Sequence, residues 1–505
     1  MRCMTGKVFA LLLAALLLCA GAAAQPCDPY GNWYEVFVRS YQDSDGDGVG
    51  DLRGLIQRLD YIEEMGYTGL WLMPVMPSPS YHKYDVTDYY GIDEEYGTLE
   101  DYRALTEACH ARGIAIIADL PLNHSSSQHP WFIGACEALR SGETDHPLVG
   151  YYCFSREQGS KSVPVAGTDW YYEEQFSGGG MPDLNLENEA LLAEIECILD
   201  FWLNDIGIDG FRLDAVTSYF AANTDRNVEF LAWLNETAER LKPGCYIVGE
   251  AWTGLTEIAR YYGSGIDSFF LFPASQAEGY LARTLRARSP AKAYMGYLQD
   301  VYAAIPDGVL APFFCNHDTG RTVPAIQARQ APEKAKFAEA ILNMMGGAVF
   351  TYYGEEIGMV GAGDDPNKRL AMYWSDDGMT QQPPGVTKIE YAYPSAEAQL
   401  ADEHSLLAYC RSLNRLKLDY PQIARGRTEF VYCDSHVLIM RRTWKGESCC
   451  IAMNFDGKGA RSVSPGWPDP VLLAQVNTGR EVSELINNNG RYELIIPAYG
   501  VAILR

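Results

Sequence analysis

Short apolar runs alternate with helical patterns along most of this chain, and this alternation constrains its fold more than any other feature. Eight runs rich in β-branched or aromatic residues predict strands, at residues 33–39, 69–73, 114–120, 210–213, 245–249, 268–272, 312–315 and 348–353. Amphipathic stretches lie between them, such as the stripe from Leu191 to Leu203 that precedes Gly207. Eight strand and helix units in succession predict a parallel (β/α)8 TIM barrel.

Two parts of the chain depart from this alternation. About ninety residues separate the third predicted strand from the fourth, and they contain no long helical stripe. We therefore expect an insertion domain with little regular secondary structure at residues 121–186. After about residue 395 one helix is followed by apolar runs separated by turn residues, which predicts a C-terminal antiparallel β-sandwich at residues 396–505. The barrel is expected at residues 25–120 and 187–395.

The first 24 residues have the layout of a cleavable secretory signal. Arg2 and Lys7 precede an apolar stretch at residues 8–20, and small residues stand before Gln25. This stretch is shorter than the roughly 20 residues that a helix needs to span a bilayer. We expect a monomer without a transmembrane segment, exported to the periplasm, the cell surface or the medium after cleavage near Gln25. Leu18 before Cys19 disfavours a lipid anchor, because such signals prefer a small residue there.

Charge and cysteine content exclude several classes of function. The formal net charge is −26, which disfavours nucleic acid and acidic lipid as partners and favours neutral ligands or cations. Eleven cysteines remain beyond the expected signal, without a CxxC or Cys/His metal spacing, and their disulfide pattern stays open. Cys109, Cys197 and Cys315 lie in apolar patterns and are expected to be buried thiols.

Three carboxylates end predicted strands in separate parts of the chain. They are Asp214 in GFRLDAV, Glu250 in IVGEAW and Asp318 in FFCNHD, and Asp119 ends a fourth strand in the same way. One such acidic residue would usually be a helix N-cap. Four of them, with polar neighbours, favour an active site, because the carboxyl ends of barrel strands meet on one rim.

This combination suits cleavage of a glycosidic bond with retention. One carboxylate attacks the anomeric carbon, and a second, kept protonated by a raised pKa, protonates the leaving oxygen and later activates water. Arg212 lies two residues before Asp214 on the same strand face, where its charge keeps the carboxylate ionised. His124 and His317 can donate hydrogen bonds to sugar hydroxyls.

The motifs resemble the α-amylase family of glycoside hydrolases over nearly the whole chain beyond the signal. DLPLNH, GFRLDAV, GEAW and CNHD match the four short motifs of the family in order, and MPDLN at residues 181–185 matches a fifth. The resemblance implies that Asp214 is the nucleophile, Glu250 the general acid and base, and Asp318 the carboxylate that fixes and distorts the sugar.

The resemblance also implies a set of substrate contacts. Those carried over from the family motifs are Tyr84, Asp85, His124, Arg212 and His317. Tyr84 is expected to stack on the sugar ring at the cleavage point. Trp252, two residues beyond Glu250, is the aromatic side chain best placed to stack on another sugar face, although packing in the core would explain it equally well.

An acidic loop after the first strand predicts a calcium site. In QDSDGDGVGDL, Asp43, Asp45, Asp47 and Asp51 alternate with glycines, and the carbonyl of Val49 is a further candidate ligand. Oxygen ligands spaced by twos around a glycine bend suit a hard cation, so we expect Ca2+. Gly54 at the twelfth position excludes an EF-hand, and a solvated acidic turn is the alternative. Relatives in the family carry a similar loop.

One departure from the family pattern concerns a second metal site. Many members have Lys-His three and four residues after the nucleophile, and the histidine carbonyl binds calcium there. This chain has Thr217 and Ser218 instead. The usual calcium site between barrel and insertion is therefore in doubt, although Asn123 remains a candidate ligand.

The favoured function is an exported α-amylase-type hydrolase that cuts α-1,4 bonds of starch or maltooligosaccharides. Ala215 and Val216 after the nucleophile resemble the α-1,4-acting members, whereas α-1,6-specific members tend to have Val directly after it. A neopullulanase-like or cyclodextrin-cleaving hydrolase, or an α-glucan transglycosylase, is the alternative. A non-catalytic glucan-binding relative is disfavoured because all three carboxylates are retained.

Overall fold

The computed structural model describes residues 27–176, 178, 180–221, 223–464 and 466–505, and the expected signal at residues 1–24 lies outside them. The strands of the described chain are β1 (Asn32–Val36), β2 (Gly69–Leu72), β3 (Ala115–Leu120), β4 (Phe154–Ser155), β5 (Ser162–Pro164), β6 (Tyr171–Glu173), β7 (Gly210–Leu213), β8 (Tyr246–Gly249), β9 (Ser268–Phe270), β10 (Val309–Ala311), β11 (Val349–Tyr352), β12 (Arg427–Cys433), β13 (Val437–Trp444), β14 (Glu447–Asn454), β15 (Arg461–Val463), β16 (Leu472–Val476), β17 (Glu484–Asn488), β18 (Arg491–Ile496) and β19 (Val501–Leu504).

Helices lie between most of these strands. They are α1 (Leu52–Gln57), α2 (Leu59–Glu64), α3 (Leu99–His110), α4 (Pro130–Ser141), α5 (Glu189–Asp200), α6 (Thr224–Leu241), α7 (Leu255–Tyr261), α8 (Tyr280–Thr284), α9 (Pro290–Ala304), α10 (Thr322–Ala325), α11 (Pro332–Asn343), α12 (Asp365–Lys368), α13 (Ala396–Leu400), α14 (Leu406–Asp419) and α15 (Gln422–Arg425). A π-helical turn, Phe201–Ile206, extends α5. No helix among the described residues combines the length and apolar character that crossing a membrane requires.

The eight parallel strands of the barrel have the order β10-β9-β8-β7-β3-β2-β1-β11, which confirms the predicted fold. Between β10 and β11 there is no ladder, and an isolated parallel bridge joins Phe313 to Phe350. Next to it the Phe350 amide donates to the Pro312 carbonyl over 3.0 Å. Buried aromatic side chains, including Trp33, Trp71 and Phe270, fill the interior. The barrel is therefore closed at all but one seam by continuous pairing.

The seventh predicted strand was wrong in its position. It was expected at residues 312–315, whereas β10 ends at Ala311. Pro312 has no N–H to donate to a ladder, so the apolar run that follows it stays buried without continuing the strand. The helical segment between β1 and β2 is divided into α1 and α2, because Arg58 leaves the helical region with φ −102° and ψ 2°. Helix α3 begins at a reciprocal capping box between Thr98 and Asp101.

The segment between β3 and β7 is more regular than expected. It contains the 12-residue helix α4 and the three-stranded sheet β4-β6-β5. Pro130 occupies the first turn of α4, and Gly142 ends the helix with a φ of 80°. The buried face of α4 consists mainly of small residues such as Ala135 and Cys136, which is why no long apolar stripe indicated it.

The C-terminal region forms the predicted antiparallel sandwich. A five-stranded sheet, β12-β13-β14-β19-β16, faces a three-stranded sheet, β15-β18-β17. Side chains of both sheets, such as Ile439, Ala502 and Leu494, share one apolar cluster. The sequence did not reveal β15 and β17 because both are short and mostly exposed.

All the cysteines that the structure describes are free thiols. Cys109 and Cys315 are buried, as predicted, but Cys197 is exposed and that prediction was wrong. On α5 the buried face contains Ile195, Ile198 and Leu199, and Cys197 lies on the opposite side of the helix.

Candidate active site

The register of neighbouring strands brings two of the predicted carboxylates together. Leu213 at the end of β7 pairs with Gly249 at the end of β8. The residues that follow, Asp214 and Glu250, therefore leave adjacent strands at the same level of the rim. Strand β3 continues this arrangement, because its Asp119 pairs with Arg212 on β7.

Arg212 joins the carboxylates of this rim. Its Nη1 lies 2.8 Å from Oδ1 of Asp119 and 2.7 Å from Oδ1 of Asp214, and its Nη2 lies 3.0 Å from Oε2 of Glu250. Burial alone would lower the pKa of Arg212, but the surrounding carboxylates raise that pKa well above its usual value. A permanent buried cation thus holds three acidic side chains in one cluster.

Glu250 is the member of this cluster that is suited to carry a proton. Burial raises its pKa to about 8; Arg212 opposes the shift, and Asp214 and Asp318 add to it. One carboxylate oxygen, Oε2, also accepts a hydrogen bond of 2.8 Å from the Ala215 amide. At neutral pH the side chain is mostly protonated, as a general acid must be before it acts.

Asp318 lies in the loop after β10 and has the opposite electrostatic environment. Its Oδ2 is 3.0 Å from Nε2 of His317, and its Oδ1 is 2.9 Å from Nη2 of Arg369. Burial would raise the pKa of Asp318, but these two cationic side chains hold that pKa well below its usual range. The carboxylate therefore stays ionised under conditions in which Glu250 keeps its proton.

A cavity of about 500 Å³ opens above the cluster. Of the side chains that the sequence predicted for the site, it is lined by Tyr84, His124, Asp214, Glu250, Trp252 and Asp318. Trp252 is 49% exposed and stacks on Phe272 with ring centroids 4.6 Å apart, which leaves its other face open. Polar groups at the floor and an open aromatic face at the wall suit a sugar chain.

Three predicted contact residues lie behind this wall instead of in it. Arg212 and His317 are completely buried and contact the carboxylates. Asp85 is also buried, and it accepts hydrogen bonds from the hydroxyls of Ser78 and Ser80. Arg212 and His317 thus hold carboxylates of the site, Asp85 holds the turn at residues 78–80, and none of the three lines the cavity.

Sequence reasoning missed several residues of the wall. They are His82, Phe176, Met181, Thr217, Ser218, Asp365 and Arg369. Phe176 and Met181 come from the segment between β3 and β7, and Met181 lies in the MPDLN motif. Arg369 lies 51 residues beyond Asp318 in a stretch without a recognisable pattern, so no local signal indicated it.

The acidic loop after β1 brings together three of the four carboxylates predicted to bind calcium. Carboxylate oxygens of Asp43, Asp45 and Asp51 lie within 4.8 Å of one another. Asp43 accepts hydrogen bonds from three backbone amides of the loop, which hold its pKa below the usual value against the effect of burial. Asp47 is outside this group, and its side chain accepts a hydrogen bond from the Val49 amide over 2.7 Å.

Asn123, the candidate ligand for a second metal, has a protein partner. Its amide nitrogen donates to Oδ1 of Asp183 over 3.1 Å. Burial raises the pKa of Asp183 to about 6.

Comparisons with known proteins agree with this geometry. A family model described as "Alpha amylase, catalytic domain" matches residues 35–426. Alpha-amylase 3 of Dictyoglomus thermophilum is 32% identical over 458 residues, covering 89% of each chain. Trehalose synthase/amylase TreS of Mycobacterium tuberculosis is 31% identical, covering 80% of this chain and 78% of its own. The solved structure of Eubacterium rectale Amy13B is 41% identical with a TM-score of 0.90, covering 94% of this chain and 95% of its own.

Proposed function

Because the chain belongs to the alpha-amylase family of glycoside hydrolases, we propose that it cleaves α-1,4-glucosidic bonds of starch or maltooligosaccharides with retention. The observation that carries this proposal is the adjacency of Asp214 and Glu250 around Arg212, together with the raised pKa of Glu250. Retaining cleavage requires one ionised and one protonated carboxyl group close together.

The reaction runs in two displacements. An oxygen of Asp214 attacks the anomeric carbon while the carboxyl proton of Glu250 passes to the leaving glycosidic oxygen. Glu250, now ionised, removes a proton from water, which attacks the same carbon and releases Asp214. Asp318, held ionised by His317 and Arg369, binds hydroxyls of the sugar and favours its distorted form.

The bond specificity rests on two observations. Ala215 and Val216 follow the nucleophile, as in the α-1,4-acting members that the sequence resembles. The similarity to an enzyme named alpha-amylase over 89% of the chain supports the same preference. The alternative is a neopullulanase-like or cyclodextrin-cleaving hydrolase or an α-glucan transglycosylase, which the similarity to a trehalose synthase/amylase supports.

Calcium at the acidic loop is part of the proposal. Carboxylate oxygens of Asp43, Asp45 and Asp51 lie within 4.8 Å of one another, a cation between them would offset their mutual repulsion, and oxygen ligands fit Ca2+. Asp43, Asp45 and Asp51 would hold the ion, with Asp47 and the Val49 carbonyl as the further ligands that the spacing predicts. Bound there, Ca2+ would neutralise the loop and stabilise the end of β1; it takes no part in the reaction.

Export and domain boundaries are proposals from the sequence. Residues 1–24 have the composition of a secretory signal, which supports an exported monomer acting on an external glucan. The barrel is assigned to residues 25–120 and 187–395, the insertion domain to 121–186 and the sandwich to 396–505. Fractionation of cells that express the full chain, followed by N-terminal sequencing, tests export and cleavage together.

Product analysis tests the activity. The purified chain is incubated with amylose, pullulan and cyclodextrin, and the anomeric form of the first products is followed by NMR. Release of α-anomeric maltooligosaccharides from amylose, lost in Asp214→Asn, supports an α-1,4-acting retaining hydrolase. Faster turnover of pullulan or cyclodextrin supports the alternative hydrolases, products longer than the substrate support a transglycosylase, and inactivity equal to Asp214→Asn on all three contradicts the proposal.

A further inference from the structure

A buried glutamate on the first strand contacts the site from behind. Glu35 lies on β1 inside the barrel and is 1% exposed. Its Oε1 lies 2.6 Å from Nδ1 of His317 and also accepts from the backbone amide of His317 over 3.3 Å. One carboxylate oxygen thus holds both the ring and the main chain of the residue before Asp318.

The other ring nitrogen of His317 also faces acceptors. Nε2 lies 3.0 Å from Oδ2 of Asp318 and 2.7 Å from the hydroxyl of Tyr84. That hydroxyl donates its own hydrogen to Oδ2 of Asp119 over 3.0 Å, so towards His317 it can only accept. Because Asp318 and Glu35 are acceptors as well, both ring nitrogens must carry hydrogen, and His317 is an imidazolium.

The charges around His317 support this protonation state. Glu35 from β1, Asp119 from β3 and Asp318 face the ring, and the edge of Trp71 from β2 lies against it with centroids 5.8 Å apart. Arg369 approaches only the carbonyl, to which its Nε donates over 3.2 Å. Burial would lower the pKa of His317, but Asp318 and Glu35 overcome that effect and raise it to about 9.

We propose that Glu35 is a positioning residue of the cleavage subsite, which keeps His317 as a doubly donating imidazolium and through it fixes the orientation of Asp318. The role in catalysis rests on the function proposed above, whereas the protonation of His317 does not. Without the charge of Glu35, Nδ1 would lose its proton at a lower pH. The neutral ring could then rotate, or its unprotonated nitrogen could accept a hydrogen bond. In either case Asp318 would lose the fixed N–H donor that His317 provides.

The first test reads the titration of His317 without any substrate. The chain has eight histidines, so ring signals of the full-length protein labelled at histidine are few enough to follow by NMR, and the loss of one signal in His317→Gln assigns it. Glu35→Gln keeps the shape and the acceptor oxygen but removes the charge, and we expect the pKa of His317 to fall from about 9 by roughly one unit or more.

The control for loss of a buried carboxyl group elsewhere in the protein is Glu339→Gln; burial raises the pKa of Glu339 well above its usual value, so this control does not match the change of charge. Glu339 lies on α11 and is also buried, and it is not among the groups that contact His317. It should leave the His317 titration unchanged. If Glu35→Gln does not fold, Glu35→Asp replaces it, since the charge remains but the shorter side chain cannot reach Nδ1, and the pKa should fall by a smaller amount. An unchanged His317 titration in the folded variant overturns the proposal.

The second test is a double-mutant cycle on a maltooligosaccharide. In Glu35→Gln we expect kcat/KM near pH 8 to fall about twofold if the pKa of His317 falls by one unit and about tenfold if it falls by two. Near pH 5.5, where the imidazolium persists, the loss should be less than about threefold. In the His317→Gln background the same substitution should have no further effect. An equal loss in both backgrounds would show that Glu35 acts only on folding and would overturn the proposal. If the wild type cleaves no glucan but His317 still titrates as expected, the proposed function fails and the assignment of Glu35 to His317 stands.

Discussion

Arg369 and Asp318 lie 51 residues apart in the chain, and the guanidinium Nη2 is 2.9 Å from the carboxylate Oδ1. The same arginine donates to the His317 carbonyl and is itself almost completely buried. The loop between β11 and α13 therefore completes the electrostatic environment of a carboxylate that is delivered by the loop after β10.

Substitution of Arg369 should make the enzyme more sensitive to acid. Arg369 and His317 hold the pKa of Asp318 below its usual value, so in Arg369→Met that pKa should rise. Activity that requires ionised Asp318 would then be lost at a higher pH. We expect the acidic limb of the kcat/KM profile to move upward, with about 100-fold lower kcat at neutral pH because a buried charge loses its partner. A kcat at neutral pH within about threefold of the wild type would contradict this role for Arg369.

Glu250 should set the alkaline limb of the pH–activity profile. Its pKa is raised to about 8, so wild-type activity should decline as the pH rises through that value and the proton is lost. In Glu250→Gln this limb should disappear and kcat should fall by about 10³-fold or more, since no group protonates the leaving oxygen. Stopped assays from pH 5 to 9.5 on a maltooligosaccharide with an activated leaving group measure the alkaline limb and kcat. In Glu250→Gln, kcat should fall less on that substrate than on amylose, because an activated leaving group needs less protonation.

Removal of Arg212 should destabilise the protein. It is completely buried against Asp119, Asp214 and Glu250, so Arg212→Met leaves three acidic side chains without their cation. Breaking a buried ion pair in this way costs about 3–5 kcal/mol, and the melting temperature should fall accordingly. Part of the loss should be recovered at low pH, where the carboxylates take up protons. Equal destabilisation at pH 4.5 and pH 8 would be contrary to this electrostatic cause.

Calcium removal should lower thermal stability through the acidic loop. If the ion binds the folded state only, calcium at 100 times its Kd adds about 2.7 kcal/mol, and a chelator should remove that gain. Asp51→Asn should abolish the effect of the chelator, because its carboxylate belongs to the group within 4.8 Å. Asp47→Asn should weaken the effect of the chelator less than Asp51→Asn does, because Asp47 is outside the group of three carboxylates. A wild-type melting curve that is identical with and without chelator would exclude a structural ion.

The sequence predicted the barrel, the sandwich and the meeting of three carboxylates because these depend on local patterns. Strand ends are visible as apolar runs followed by polar residues, and parallel pairing brings such ends to one rim. Arg369 and Glu35 were not predicted because their roles arise from contacts across 51 and 282 residues, which no local periodicity encodes. Helix α4 was missed because its buried face is built from small side chains.

The strands under the catalytic rim are joined in two ways, because β10 and β11 share only the bridge between Phe313 and Phe350, whereas β7 and β8 pair continuously. Asp214 and Glu250 extend from strands joined by a continuous ladder, so the distance between attacking oxygen and proton donor is fixed by the sheet itself. Asp318 is carried by the segment at the seam, where the amides of Ala348 and Phe350 donate to the carbonyls of Leu310 and Pro312 without forming a ladder. The orientation of Asp318 is therefore set by its side-chain partners His317 and Arg369, whereas the pair that makes and breaks bonds is placed by the ladder of the sheet.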